Sequence, residues 1–183
     1  MRGTVRALFS IIAAALLGLA TAAVQADSKA HIDAKSQEAL DRLLDHAEGA
    51  DKLLRKAAGV LVFPDIVKMG FGVGGQYGEG SLLIDGKPEA YYATAGATFG
   101  LQLGAQYKTE MILFMTEEAL NGFRARPGWE IGVDTSVALV EASTGGHIDL
   151  KKIADPVVGF IFSNEGLMYN LTLEGSKITR IAR

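Results

Sequence analysis

The sequence predicts an α+β fold, with N-terminal helices packed on a mainly antiparallel, strongly curved or barrel-like β-sheet. Residues 31–58 carry one apolar stripe at three- and four-residue spacing, the period of a helix lying on a core. From Gly59 onward, short alternating or β-branched runs are separated by turn signals, the pattern of antiparallel strands. Many of the chain's 22 glycines fall inside those runs. Glycine within a strand marks a bulge, a sharp bend or close backbone approach, which favours a sheet that curls.

The helical stripe is Leu40, Leu43, Leu44, Ala47, Leu54, Ala57 and Ala58. Glu48–Lys52 and Asp51–Arg55 are i,i+4 pairs on the other face, and Gly49 breaks or bends the helix. The stripe is rich in Ala and has no aromatic residue, which suits packing on a core better than insertion into a membrane. Val60–Phe63 is a short strand ending at Pro64, and Phe71–Tyr77 is a second, threaded with glycine. Ser81–Ile84 and Glu89–Thr94 flank Asp85-Gly86 and form a hairpin. Phe99–Tyr107 alternates with a period of two and reads as one strand, and Met111–Met115 follows as a buried strand. Thr116 caps a short helix to Phe123, with Glu117 and Glu118 complementing its start. Arg124–Trp129 is a loop, Val133–Glu141 a strand and Thr144-Gly145-Gly146 a turn. Val157–Ser163 and Leu167–Leu173 pair as a hairpin, and Ile178–Ile181 adds a last strand.

With 183 residues, 49% hydrophobic and 21% charged, the chain has the balance of a globular protein able to bury one core. Its first 26 residues differ from the rest. Arg2 and Arg6 precede an apolar run, Ala7–Leu19, and Val24-Gln25-Ala26 offers the small residues read at a cleavage site. This is the three-part pattern of a signal peptide, and the run is shorter than the roughly 20 residues a spanning helix needs. Cleavage near Ala26 leaves one domain, residues 27–183, in the periplasm or secreted. The chain has no cysteine, so neither lipoprotein anchoring nor disulfides are expected. Removing Arg2 and Arg6 from 18 basic residues leaves 16 against 21 acidic ones, a net charge of −5. That balance argues against a nucleic-acid partner, which wants a basic face.

No catalytic constellation, cofactor site or metal site emerges. Gly70, Gly72 and Gly75 match the spacing of a dinucleotide-binding loop, but Gln76-Tyr77-Gly78-Glu79-Gly80 cannot sustain the helix that would hold a pyrophosphate. Gly86-Lys87 is followed by Pro88 where a phosphate loop needs Ser or Thr. His31, His46 and His147 lack zinc-ligand spacing. Ser143, His147 and Asp149 lie close in sequence, but no nucleophile elbow surrounds Ser143 and turn chemistry accounts for them. Asn170-Leu171-Thr172 is a glycosylation sequon inside a predicted strand. Among the basic groups (Lys52, Arg55 and Lys56; Lys68; Lys151 and Lys152), Arg124 and Arg126 beside Trp129 stand out. An indole at an interface with guanidinium groups on phosphate would suit lipid headgroups.

Leu61-Val62-Phe63-Pro64, then Lys68 and Gly70–Gly80, resembles the opening of the SYLF domain. Gly100-Leu101-Gln102-Leu103-Gly104-Ala105-Gln106 resembles its G-x-Q-x-G-x-Q stretch, and Gly166-Leu167 with Leu173-Glu174-Gly175 its closing signature. The likeness runs from about residue 35 to 183. It implies a lipid-binding module without enzymatic activity. Eukaryotic members bind phosphoinositides and some bind actin, and bacterial members look like exported envelope proteins. Two departures bear on the ligand. A signal peptide and an acidic start, Asp27 to Asp33, stand where eukaryotic members carry a basic amphipathic segment. Val140–Gly146 replaces a Gly-Pro-x-Gly-Arg-like stretch. The expected function is therefore an exported protein binding anionic phospholipid or a membrane surface, through Lys68 from the family motif and Arg124, Arg126 and Trp129 from the headgroup argument. An envelope protein acting structurally or under stress through a protein partner is the alternative, and actin is not an expected partner.

Overall fold

The computed structural model describes residues 27–100, 105–140, 154–163, 166–167 and 175–183. The signal-peptide segment, the Thr144–Gly146 turn, Ser143 with His147 and Asp149, Lys151 with Lys152, and Asn170 lie outside the described residues.

Helix α1 (Lys29–His46) opens at Ser28, whose hydroxyl accepts from the His31 amide at 3.2 Å. It buries Ile32, Ser36, Ala39 and Leu43. Leu44, expected on that stripe, lies one position round the helix and is 44% exposed. Gly49 takes the left-handed conformation, φ 95°, and turns the chain into α2 (Ala50–Lys56). The predicted break thus divides the stretch into two helices. Of the two predicted ion pairs, Asp51–Arg55 forms at 2.6 Å.

One long hairpin dominates the sheet. Strand β1 (Gly59–Ile84) ends at Asp85-Gly86, where both residues have positive φ, 49° and 73°. A two-residue turn of this kind matches the twist of its strands, and β2 (Lys87–Gly100) returns from it. The Ser81–Thr94 hairpin is therefore present as predicted. β2 pairs with positions 72–84 of β1, and β3 (Ala105–Phe114) with positions 59–69, both antiparallel. The stretch read as one strand, Phe99–Tyr107, instead supplies the end of β2 and the start of β3, with residues 101–104 outside the description. Pro64 does not end β1. It lies in a register shift between Phe63 and Ile66, where a missing N–H costs no ladder bond, and its carbonyl accepts from Thr109 Oγ1 at 2.6 Å.

This hairpin is folded over at mid-length. A Cβ on Gly74 would stand 2.1 Å from the Met69 carbonyl oxygen, so the chain bends tightly there. A Cβ on Gly80 would stand 2.1 Å from the Val62 carbonyl oxygen, so the second half of β1 crosses directly over the first. The glycine run at 70–80 is a corner of the sheet, not a nucleotide loop.

Helix α3 (Glu117–Arg124) follows, its N-cap Thr116 accepting from the Ala119 amide at 3.1 Å. The remaining strands are β4 (Gly128–Glu130), β5 (Ala138–Leu139), β6 (Val157–Ser163), β7 (Gly166–Leu167) and β8 (Ser176–Ile181). The sheet runs β4-β8-β2-β1-β3-β6-β5, with β7 on β6, and forms a strongly curled half-barrel. All pairings are antiparallel except β5 with β6. The predicted strand Val133–Glu141 is reduced to β5 and a bridge between Ile131 and Thr135.

Alternation places the core on both faces of this sheet. Val60, Val62, Met111, Leu113, Val158 and Phe160 meet α1 and α2 on the convex side. Leu61, Phe63, Ile112, Phe114, Val157 and Ile161 face the hollow, which Leu120 and Phe123 of α3 fill. Strands covered on both faces read as continuous apolar runs, as residues 59–63 and 111–115 do.

Candidate functional site

Three of the four predicted lipid-contacting side chains are not placed to meet a headgroup. Trp129 is 3% exposed and packs in the hollow of the sheet. Its ring lies edge-on to Phe123, centroids 5.3 Å apart, and to Phe114 at 6.1 Å. The interfacial role expected for it is therefore corrected: β4 turns Trp129 inward while Gly128 and Glu130 remain half-buried. Arg124, at the end of α3, is ion-paired with Glu89, and Arg126 with Asp134. Both arginines are exposed, but each already spends a donor on a carboxylate of the same surface.

Lys68 is placed differently. It is half-buried on β1 opposite Gln106, with no ion-pair partner among the described residues. Beside it the bend exposes Met69 at 58%, Val73 at 67% and Tyr107 at 62%. Tyr107 pairs with Val67, which sets it diagonal to Met69 on one face. The corner thus presents two aliphatic side chains, a tyrosine and a lysine together. Sequence reasoning assigned Tyr107 to the buried face of a strand and missed this group. The available signal was the glycine run itself, which marks where the sheet turns away from its covering helices.

Two further polar groups are structural in their setting. Glu79, 6% exposed, accepts from Tyr77 Oη at 2.7 Å and from Arg183 Nε at 3.1 Å. Burial pushes this carboxyl up, but the Arg183 and Tyr77 hydrogen bonds outweigh burial and hold it below the usual range. Tyr77 in turn is pushed up to about 12, by burial first and then by Glu79. Glu110 is wholly buried, 2.6 Å from Lys108 Nζ, and burial raises its carboxyl above the usual range against the pull of Lys108. No group of metal-ligating side chains is found among the described residues, and none of the described helices is long and apolar enough to cross a membrane.

Fold and corner together define an α+β domain built on a folded hairpin, with helices on its convex face. Residues 95–182 match the family described as Ysc84, Las17-binding protein actin regulator. That part of the chain belongs to the Ysc84 (SYLF) domain family, as its sequence resemblance implied. The match takes in the second and third of the three motifs and begins after β1. No curated protein matches the chain.

Proposed function

We propose that this chain is an exported envelope protein that binds lipid without catalysis, meeting anionic membrane surfaces through the bend of its folded hairpin. The observation that carries this is the exposure of Met69, Val73 and Tyr107 beside Lys68. Contiguous exposed apolar groups mark interaction surfaces. Tyrosine suits an interface, since its ring is apolar and its hydroxyl polar. The Lys68 stem lies along apolar surface while its ammonium reaches outward to phosphate. Glycine supplies a rigid, sharply turned backbone that offers these side chains without a helix. Export rests on the Arg2–Ala26 pattern, and a mature chain beginning at Asp27 is expected from N-terminal sequencing; a chain beginning at Met1 refutes export by cleavage.

Vesicle co-sedimentation tests the surface. The protein should sediment with anionic vesicles, weakly with neutral ones, and less at high salt because surface charge is screened. The double substitution Met69→Ser, Val73→Ser and the single Lys68→Glu should each reduce the bound fraction at least fivefold. Indifference to every vesicle overturns the reading. The family description names a protein-binding actin regulator, so the same corner would then serve a protein partner in the envelope.

A further inference from the structure

A second feature lies away from the bend, where the helices meet the hairpin turn. A cleft of about 420 Å³ opens there, walled by Leu40 of α1, Leu54 of α2, and Val60 and Leu83 of β1. Val60 and Leu83 belong to the core beneath α1 and α2, and Leu40 and Leu54 pack against that core while staying partly exposed. The cleft is thus the same apolar core continued outward to solvent. Small residues keep it open: Ala57 lines it, and a Cβ on Gly86, also in the lining, would meet nothing within 4 Å. Its charged lining is one cation and one anion, Arg55 from α2 and Asp85 from the turn.

We propose that this cleft binds a zwitterionic single-chain amphiphile, its acyl chain on the leucine walls, its phosphate on Arg55 and its ammonium on Asp85. This deepens the lipid-binding reading by naming a ligand class, but it does not depend on the bend. A methylene fills roughly the 30 Å³ of a liquid water, so the cleft takes on the order of a dozen carbons. That is one chain, not two. Arg55 donates to Asp51 at 2.6 Å through one nitrogen, and a guanidinium has five N–H donors, so others remain for phosphate. A purely anionic headgroup would meet Asp51 and Asp85 as well as Arg55. A purely cationic one would meet Arg55. Only a headgroup carrying both charges is matched on both sides.

Calorimetric titration with dodecylphosphocholine below its micelle concentration tests the proposal, using protein purified from cells expressing the full chain. Saturable one-to-one binding is expected. Dodecanoate and dodecyltrimethylammonium should bind about tenfold more weakly, a loss of about 1.4 kcal/mol, and phosphocholine without a chain should not bind. Ala57→Phe fills the cleft and should abolish binding. Arg55→Gln and Asp85→Asn, both at the surface, should each weaken binding about tenfold and keep the test open if Ala57→Phe does not fold. No saturable binding, or equal binding of all three headgroups, overturns the proposal. So does binding undiminished by every one of these substitutions. Vesicle sedimentation separates this result from the surface reading. Ala57→Phe should still sediment with anionic vesicles, and the Met69→Ser, Val73→Ser protein should still bind dodecylphosphocholine.

Discussion

Replacing Gly80 by alanine tests the folded hairpin where its halves come closest. The new methyl carbon would lie 2.1 Å from the Val62 carbonyl oxygen and 2.7 Å from Phe63 Cδ1. Even a close carbon–oxygen contact is about 3.3 Å, so the two backbones must part by about 1 Å. Neither can yield locally, because Gly80 is laddered to Tyr92 and Val62 to Met111. Overpacking a closed site costs about 1–3 kcal/mol, and with backbone on both sides the upper end applies, about 3 kcal/mol. For a domain of this size that lowers the melting temperature by roughly 6–12 °C. Gly75 is the internal control. A Cβ there meets its nearest neighbour, the Gly96 carbonyl oxygen, at an ordinary 3.7 Å. Gly75→Ala should be neutral or stabilise by up to about 1 kcal/mol through the unfolded chain. Urea and thermal unfolding followed by circular dichroism measure both. An unchanged midpoint for Gly80→Ala, or equal damage from Gly75→Ala, would refute close packing as the reason for the glycine run and return it to the role of a ligand-cradling loop.

Further expectations concern the buried polar and aromatic groups. Trp129→Ala should cost about 3–5 kcal/mol as a core truncation, while vesicle binding per folded molecule stays at the wild-type level; a selective loss of vesicle binding would restore the headgroup role. Glu110 has a folded value raised above its ordinary 4.5, so its contribution to stability is present below that pH and is lost as pH rises through the raised value. Urea midpoints taken upward from pH 4.5 should therefore fall less steeply in Glu110→Gln, and an identical slope counts against the buried pair. Lys108→Met alone should cost on the order of 3 kcal/mol at neutral pH, and adding Glu110→Leu should recover most of it, which a double-mutant cycle reads directly. Glu79 is shifted the other way, so its contribution is present above 4.5 and is lost as pH falls through the lowered value. Arg183→Gln should flatten acid unfolding in that range, and an unaltered acid limb would show that the contact with Arg183 carries no stability.

Local chemistry made several elements legible. Asp85-Gly86 dictates its turn because few residue pairs accept two positive φ angles, and Thr116 and Gly49 mark helix ends for similarly local reasons. What the sequence did not disclose was which apolar faces are covered. Period-two alternation at residues 105–107 says that Tyr107 faces away from Gln106, but not that α1 stops short of it. Trp129 stands next to arginines along the chain, yet β4 alternation turns it inward onto Phe123, a partner known only once the sheet has curled. Pro64 signals a strand end by propensity, and the register shift that accommodates it depends on β3. The corner formed by Met69, Val73, Tyr107 and Lys68 joins residues about 40 apart in sequence, so no local pattern displays it.

The folded hairpin also bears on how the chain reaches its structure. Its first pair, Ile84 with Lys87, closes only the two-residue turn, and every later pair down to Gly59 with Phe114 extends an existing ladder. The closure entropy of each step rises only with the logarithm of loop length. A largely β protein therefore lays down its central strands by zippering, without the long search that distant pairings impose. The crossing of Gly80 over Val62 can form only after both arms exist, so it belongs to the late part of the reaction. Leu82→Ala, next to the turn, should then mainly slow refolding, and Val62→Ala, at the crossing, should mainly speed unfolding; stopped-flow rates showing the reverse would place nucleation elsewhere. Export before folding is compatible with this order, since the turn that starts the zipper lies well within the mature chain.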